Sequence, residues 1–97
     1  MPSNIAFGAS LKRVRMSKGL TQEDFSDTSS RTYISTLERG LKSPTLEKID
    51  AIASTLQIHP LSLLVLAYLP KNKPNQKLDK LLDDVNTEIL NLLSVDD

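Results

Sequence analysis

Cysteine and tryptophan are absent from this 97-residue sequence, and aromatic residues make up only 4% of it. Without cysteine the chain can form neither a disulfide framework nor a thiolate metal site, and a reducing compartment is compatible with this composition. Because aromatic side chains are so few, leucine, isoleucine, valine and alanine must fill the interior. A chain of this length supports one domain with a single modest core, together with an appended helix.

The sequence also lacks a recognisable signal peptide and a long apolar run. Its first ten residues, MPSNIAFGAS, have neither a charged start nor a continuous apolar segment. The longest apolar stretch, residues 61–69, is interrupted by Ser62 and is too short to cross a bilayer. We therefore expect a soluble, cytoplasmic protein without a membrane partner.

Residues that catalysis or metal binding would need are scarce as well. The single histidine, His59, has no carboxylate or cysteine near it in the sequence, so it suits a helix cap or a surface position better than a metal site. There is no Cys–His pairing, no phosphate-binding glycine loop and no cluster of carboxylates at a plausible site. The adjacent acids Asp83 and Asp84 fit the solvated side of a helix. The sequence thus predicts no enzyme activity, no metal and no cofactor.

The charges balance to zero, which at first argues against a nucleic-acid partner, but their distribution is uneven. Residues 1–48 contain eight basic and five acidic side chains, whereas residues 49–97 contain four lysines and seven acidic residues. The basic half also contains the polar stretch that organises the chain, so this half is the better candidate for contact with DNA.

That stretch is residues 20–40, LTQEDFSDTSSRTYISTLERG. It predicts two short helices separated by a polar turn. The first helix is capped by Thr21, whose side chain can accept a hydrogen bond from an unpaired amide of the first turn. The second helix can start from Ser29 or Ser30 and stops at Gly40, a typical position for glycine at a helix end.

The second of these helices has two different faces. Ile34 and Leu37, three residues apart, face the core. The residues that remain on the outer face are Arg31, Thr32, Ser35 and Thr36. Short hydroxyl side chains let a helix backbone approach the bases, and an arginine near its start can reach guanine O6 and N7 in the major groove. For an isolated helix of this length, the alternative is a solvated face without a function.

An apolar stripe predicts another helix before this stretch. Phe7, Leu11 and Val14 recur at helical spacing within residues 4–18, and Gly19 ends the helix.

After the stretch, Thr45 is expected to cap a further helix. Its predicted inward residues are Leu46, Ile49, Ile52, Ala53 and Leu56. Pro60 suits the first position of the helix that follows.

The C-terminal part contains more apolar surface than a small domain can bury. Residues 61–69 form a helix that is apolar almost all the way round, and only one of its faces can enter the core. A linker at residues 70–76 precedes an amphipathic helix at residues 77–97. The apolar residues of this last helix are Leu78, Leu81, Leu82, Val85, Ile89, Leu92 and Leu93. Either the last helix covers residues 61–69 within one chain, or a second copy of the chain does.

Four motifs in this order resemble the lambda-repressor-like (Xre/Cro) helix-turn-helix family. They are FGxxLxxVR at 7–15, TQ at 21–22, ISxLERG at 34–40 and PTL at 44–46. The resemblance covers about residues 7–66. It implies an all-α fold in which a five-helix DNA-binding domain over residues 1–69, with its helix-turn-helix at about 21–39, precedes the C-terminal amphipathic helix.

The resemblance also implies roles for residues at matching positions. Gln22 resembles a glutamine that holds a phosphate and braces the recognition helix, and Arg15 and Glu38 match a partly buried ion pair between the first and third helices. The residues expected to contact DNA are Gln22, Ser30, Arg31, Thr32, Ser35, Thr36, Arg39, Lys42 and Ser43. Among them, Arg31, Thr32, Ser35 and Thr36 match positions that read base edges, and Arg39, Lys42 and Ser43 lie where the family grips the DNA backbone.

The turn at residues 27–30 departs from the family pattern. Family members use a longer connection that commonly contains an alanine, a glycine and an apolar residue, whereas this turn reads DTSS. We therefore expect the first helix of the helix-turn-helix to be shorter, with the bulky side chain of Phe25 filling the volume that is lost.

Together these expectations give one function and one alternative. The first is a sequence-specific DNA-binding transcriptional regulator, a repressor, that binds a pseudo-palindromic operator in double-stranded DNA as a homodimer. The recognition helix at about residues 30–39 would enter the major groove, and residues 61–69 and 78–93 would form the dimer interface. No small-molecule effector is expected, since nothing resembles an effector domain. The alternative is an antitoxin or protein-interaction module on the same fold, whose C-terminal apolar surface binds a partner protein.

Overall fold

A computed structural model describes residues 3–95, and these form helices joined by short loops. The α-helices are α1 (Asn4–Ser17), α2 (Arg31–Glu38), α3 (Leu46–Leu56), α4 (Pro60–Tyr68) and α5 (Pro74–Val95). A 3₁₀ helix, Gln22–Phe25, lies between α1 and α2. Because residues 3–95 contain no strand, the predicted all-α class is confirmed. The outer ends of the predicted domain and last helix, residues 1–2 and 96–97, lie outside the described residues.

Four helices begin at a side chain that satisfies an amide of the first turn, and in α1 this is Ser3, whose Oγ accepts a hydrogen bond from the Ala6 amide at 3.0 Å. Ser30 Oγ accepts a hydrogen bond from the Tyr33 amide at 3.0 Å, and Thr45 Oγ1 accepts one from the Lys48 amide at 3.2 Å. At the start of α4 the side chain of His59 is the cap, and a proline follows at the first helical position. The starts predicted for these helices are confirmed, and the histidine has the capping role.

The 3₁₀ helix is a single turn of four residues. The carboxylate of Asp24 accepts a hydrogen bond from the Thr21 amide at 2.7 Å, which fixes the start of this turn. Phe25 closes it with a fully buried ring. The first helix of the helix-turn-helix is therefore short, as the compressed turn predicted, and the phenylalanine occupies the interior next to it.

Helix α1 holds α2 and α4 on two sides. A Cβ atom added to Gly8 would lie 2.7 Å from the carbonyl oxygen of Glu38 and closer still to that of Leu37, so only glycine permits this approach between α1 and α2. Towards α4, the buried hydroxyl of Ser10 donates a hydrogen bond to the carbonyl oxygen of Leu63 at 2.9 Å. These contacts set the position of α2 against the rest of the domain.

One apolar core joins α1, the 3₁₀ helix, α2, α3 and α4. Its largest fully buried side chains are Phe25, Leu11, Ile34, Leu37, Ile52, Leu56 and Leu63. The stripe predicted on α1, Phe7, Leu11 and Val14, is buried throughout. Spacing alone was thus sufficient to identify the inner faces of α1 and α2.

The inward position predicted for Leu46 is wrong. Its side chain is 81% exposed, whereas the later members of the same stripe, from Ile49 to Leu56, are buried. Leu46 has the correct angular position but occupies the first residue of α3. Helical spacing predicts the direction in which a side chain points, but it does not show whether another element packs there. The apolar stripe of α3 therefore includes a first residue that lies outside the core.

The boundary between the linker and the last helix differs from the prediction. Helix α5 begins at Pro74, so the linker predicted at residues 70–76 is shorter and the helix predicted from residue 77 starts three residues earlier. Proline can open a helix because the first turn needs no donor from its backbone. Lys73, with φ at 55°, makes the preceding turn.

Within residues 3–95, no single helix is both long and apolar enough to cross a membrane. Helices α3 and α4 reach the required length and hydropathy only as a pair, and they are bent by 104° where they meet.

Candidate nucleic-acid interface

Helix α2 turns one polar face outwards. Its eight residues give a rod of about 12 Å, long enough to enter a DNA major groove. Arg31 and Thr32 are exposed, and Ser35 and Thr36 are partly exposed. The predicted base-reading residues therefore share one accessible side of this helix.

Four of the predicted DNA contacts meet in a single place. Gln22, Arg31, Thr32 and Ser35 line a shallow concavity of about 250 Å³ between the 3₁₀ helix and α2. The concavity offers one cation, one amide and two hydroxyl groups, and this mixture of donors and acceptors suits a phosphate oxygen or a base edge.

Behind this concavity an ion pair holds α2 in place. Arg15 donates from Nε to Glu38 Oε2 at 2.6 Å and from Nη2 to Glu38 Oε1 at 3.0 Å. The two side chains are only 12% and 4% exposed. The hydrogen bond to Glu38 raises the pKa of the Arg15 guanidinium. The predicted ion pair between α1 and the recognition helix is therefore present as a two-point contact.

Gln22 and Leu20 complete the same network. Gln22 donates from Nε2 to Glu38 Oε1 at 3.1 Å, and Arg15 donates from Nη1 to the carbonyl oxygen of Leu20 at 2.9 Å. One carboxylate thus joins α1, the 3₁₀ helix and the last turn of α2. The bracing implied for Gln22 is seen directly, and the remaining amide hydrogen and oxygen stay available to a ligand.

Arg31 has an acidic neighbour on the 3₁₀ helix. Its Nη1 lies 3.5 Å from Glu23 Oε1, and the two side chains are 67% and 72% exposed. An ion pair so open to solvent contributes little stability, so a phosphate or a guanine can displace the carboxylate at small cost.

Two hydroxyl groups predicted to contact DNA also serve the backbone of α2. Ser30 Oγ accepts from the Tyr33 amide as the helix cap. Thr36 Oγ1 donates to the carbonyl oxygen of Thr32 at 2.8 Å. Each oxygen keeps hydrogen-bonding capacity for a ligand, because a hydroxyl has one donor and two acceptor sites.

The remaining predicted contacts lie beyond the other end of α2, outside the concavity. Arg39, Lys42 and Ser43 are all exposed. Between them the chain turns at Gly40, whose φ of +74° is favourable for glycine, with Ile5 packed against it. These residues form a second polar group next to the recognition helix.

Sequence reasoning missed the contacts that hold the compressed turn. Lys48 Nζ donates to the carbonyl oxygen of Thr28 at 3.1 Å, and the hydroxyls of Thr28 and Thr55 are 2.9 Å apart in a hydrogen bond. The Lys48 ammonium also lies 5.5 Å from the centre of the Tyr33 ring, and burial raises the pKa of that tyrosine. The available signal was the spacing of seven residues, which places Lys48 and Thr55 on one face of α3.

Residues 3–95 contain no group of three or more histidine or acidic side chains arranged to hold a metal ion.

Comparisons with known proteins agree with this geometry. The helix-turn-helix family model matches residues 11–63, just over half of the chain. The transcriptional regulator ClgR of Mycobacterium tuberculosis is 41% identical over 61 residues, which cover 61% of this chain and 54% of ClgR. The chain therefore spans about half the length of that relative. The control protein C.BamHI of Bacillus amyloliquefaciens is 38% identical over 69 residues, covering 66% of this chain and 85% of that protein.

A solved structure shows the same arrangement of helices. The restriction-modification controller protein C.AhdI from Aeromonas hydrophila superposes with a TM-score of 0.59 at 34% sequence identity. The match covers 62% of this chain and 94% of C.AhdI. Family model, relatives and structure agree with the motifs at residues 7–46, and the chain belongs to the lambda-repressor-like helix-turn-helix family.

Proposed function

We propose that this chain is a sequence-specific DNA-binding transcriptional regulator, a repressor that binds a pseudo-palindromic operator as a homodimer. The observation that carries the proposal is the concavity formed by Gln22, Arg31, Thr32 and Ser35 in front of the Arg15–Glu38 ion pair. A recognition surface must hold its donors in a fixed position, and this ion pair fixes the helix that presents them. The regulator and controller names of the relatives support the same function.

In this proposal the recognition helix, residues 30–39, lies in the major groove. Arg31 reaches guanine O6 and N7, and the short side chains of Thr32 and Ser35 allow close approach of the helix. Gln22 donates its free amide hydrogen to a phosphate. At the far end of the helix, Arg39 and Lys42 bind the DNA backbone and set the orientation of the domain.

Two copies are needed because one half-site gives few base contacts. Two recognition helices about 34 Å apart read successive major grooves on one side of the DNA, and their two-fold symmetry matches a palindrome. The faces available for pairing are residues 61–69 and 78–93, which expose Leu61, Tyr68 and much of the α5 stripe. We place this regulator in the cytoplasm, without a cofactor or a small-molecule effector.

Selection of bound sites from random DNA would test the function and give the operator. In quantitative binding to the selected site, Arg31→Ala is expected to cost about 1–3 kcal/mol and to relax the preference at one position per half-site. The matched control is Lys42→Ala, which also removes one exposed cation. It should weaken binding to all sequences and reduce the salt dependence by about one phosphate contact.

Two outcomes would contradict parts of this proposal. If Arg31→Ala weakens binding to all DNA sequences equally, Arg31 binds a phosphate and another residue reads the base. If the folded protein selects no DNA at all, the regulator function is wrong. The uncovered stripe of α5 would then favour the alternative, an antitoxin or protein-interaction module that binds a partner protein through its C-terminal surface.

A further inference from the structure

An apolar groove runs along the side of the domain where α1, α4 and the start of α5 meet. It has a volume of about 590 Å³. Its floor and walls include Ala9, Val65, Leu66 and Leu78, and Arg13 lies at its border. Leu61, which also lines the groove, is 60% exposed. Nothing in residues 3–95 fills this groove.

The groove is an apolar surface that is not filled, whereas the second half of α5 has an apolar stripe that is exposed to solvent. Val85 is 42% exposed, Ile89 49%, Leu92 68% and Leu93 59%. These residues are four, three and one positions apart, so they lie on one side of the helix. A helix with such a stripe is stabilised when another surface packs against the apolar side chains and removes them from water.

The chain cannot fill its own groove with this stripe. Helix α5 is continuous from Pro74 to Val95, and only its early residues, including Leu78 and Leu82, line the groove. At 1.5 Å per residue, Leu93 lies about 16 Å further along the helix axis than Leu82. Without a break in α5, the stripe can reach a groove of this kind only in another molecule.

The charges next to the two surfaces are opposite. The groove is lined by Arg13 and Lys71 and by no acidic residue, whereas residues 81–95 contain three acids and no basic residue. Among those acids, Glu88 lies three residues after Val85 and four before Leu92, so it borders the apolar stripe. Arg13 at the edge of the groove has no carboxylate within 4.0 Å among the described residues. An acidic helix would therefore be attracted to the basic side of the groove.

We propose that the second half of α5 from one copy of this chain occupies the α1–α4 groove of another copy, and that the exchange is reciprocal. In a two-fold dimer each groove receives the partner's helix, so a single arrangement covers both apolar surfaces in both copies. The Glu88 carboxylate of one copy then faces the Arg13 guanidinium of the other. This inference rests on the homodimer of the proposed function and specifies how that dimer is built.

Charge reversal tested by sedimentation of the full chain without DNA gives a direct answer. Arg13→Glu and Glu88→Lys should each weaken self-association by about tenfold or more, since like charges then meet at two equivalent contacts. An equal mixture of the two variants should form a heterodimer of native strength. In that heterodimer one contact pairs the two new side chains, and the other keeps the native Arg13 and Glu88.

Asp83→Lys is the matched control, because it makes the same charge change on the far side of α5 from the stripe. It should leave self-association unchanged. If the mixture of Arg13→Glu and Glu88→Lys shows no recovery, or if Asp83→Lys is as damaging as Glu88→Lys, the exchange is wrong. A chain that stays monomeric at high micromolar concentration also overturns it.

Disulfide trapping gives a second test that does not depend on charge, because the chain has no cysteine of its own. A mixture of Ala9→Cys and Ile89→Cys chains should oxidise mainly to mixed dimers. If Ile89→Cys chains link mainly to each other, the two α5 helices pair side by side and the groove is not their partner. Neither measurement uses DNA, so failure of the exchange leaves the proposed DNA-binding function to its own test.

Discussion

Two regions of the molecule differ in how much of their apolar surface is buried: the helix-turn-helix body, residues 3–69, and the helix α5. In the body, seven large apolar side chains, among them Leu11, Ile34 and Ile52, are completely or almost completely buried. In α5, the stripe from Leu82 to Leu93 is between 42% and 68% exposed. The body is complete as a folded unit, whereas α5 forms a helix whose apolar side requires another surface.

The polar groups of the two regions differ in the same way. In the described part of the chain, no buried side-chain nitrogen or oxygen lacks a partner. The body achieves this with long-range contacts such as Arg15 to Glu38, whereas the bonds of α5 link residues one turn apart, such as Lys80 to Asp84. Equivalent substitutions in the two regions should therefore have different consequences, and three matched pairs can test this.

The largest difference is expected for the ion pairs. Glu38→Ala should lower the free energy of unfolding by about 3–5 kcal/mol, because it leaves the Arg15 guanidinium buried without its partner. Asp84→Ala removes one half of an exposed pair within α5 and should cost less than about 0.5 kcal/mol. Urea denaturation of both variants measures the comparison. Equal losses would mean that the ion pair behind the recognition helix is as well solvated as the pair on α5.

The next difference concerns leucines. Leu63→Ala should cost about 2–5 kcal/mol, because Leu63 is 0% exposed and its removal leaves a cavity in the core. Leu92 is 68% exposed, so Leu92→Ala should change the unfolding free energy of the monomer by less than about 0.5 kcal/mol.

The two leucine substitutions should also differ in how their cost depends on protein concentration. A dimer adds stability by mass action, so the cost of Leu92→Ala should grow with concentration while that of Leu63→Ala stays constant. Melting curves over a hundredfold range of concentration give this measurement. A cost for Leu92→Ala that is independent of concentration would argue that α5 packs within its own chain.

The two regions also differ in how far sequence could predict them. The inner stripes of α1 and α2, the caps at Ser30 and Thr45 and the Arg15–Glu38 pair are local patterns or family motifs, and sequence was sufficient for them. Leu46 was misplaced because spacing gives a direction and cannot show where a neighbouring helix ends. The sequence places the start of α5 too late because prolines are typical of linkers, although proline is acceptable in the first turn of a helix.

For the candidate site, the sequence names residues whose contact with DNA stays a prediction, and it could not predict how the fold groups them. The concavity of Gln22, Arg31, Thr32 and Ser35 depends on the distance between the 3₁₀ helix and α2. The close contact at Gly8 and the link between Thr28 and Thr55 set that arrangement from outside the site. Each joins residues more than 25 positions apart, and no local pattern encodes such a distance.

The smallest difference is expected for two hydroxyl groups. Thr55→Val keeps the shape of the side chain but removes the partner of the Thr28 hydroxyl, so it should cost about 1 kcal/mol in unfolding free energy. In α5 the Ser94 hydroxyl donates to the carbonyl oxygen of Leu90 at 2.9 Å on an exposed surface. Ser94→Ala should be neutral or slightly stabilising, since alanine is the better helix former.

Hydrogen exchange should also show faster opening at Thr28 and Ser29 in Thr55→Val, because the Thr28–Thr55 hydrogen bond links the compressed turn to α3. Unchanged exchange there would mean that Lys48, through its bond to the Thr28 carbonyl oxygen, holds the turn alone and fixes the start of the recognition helix.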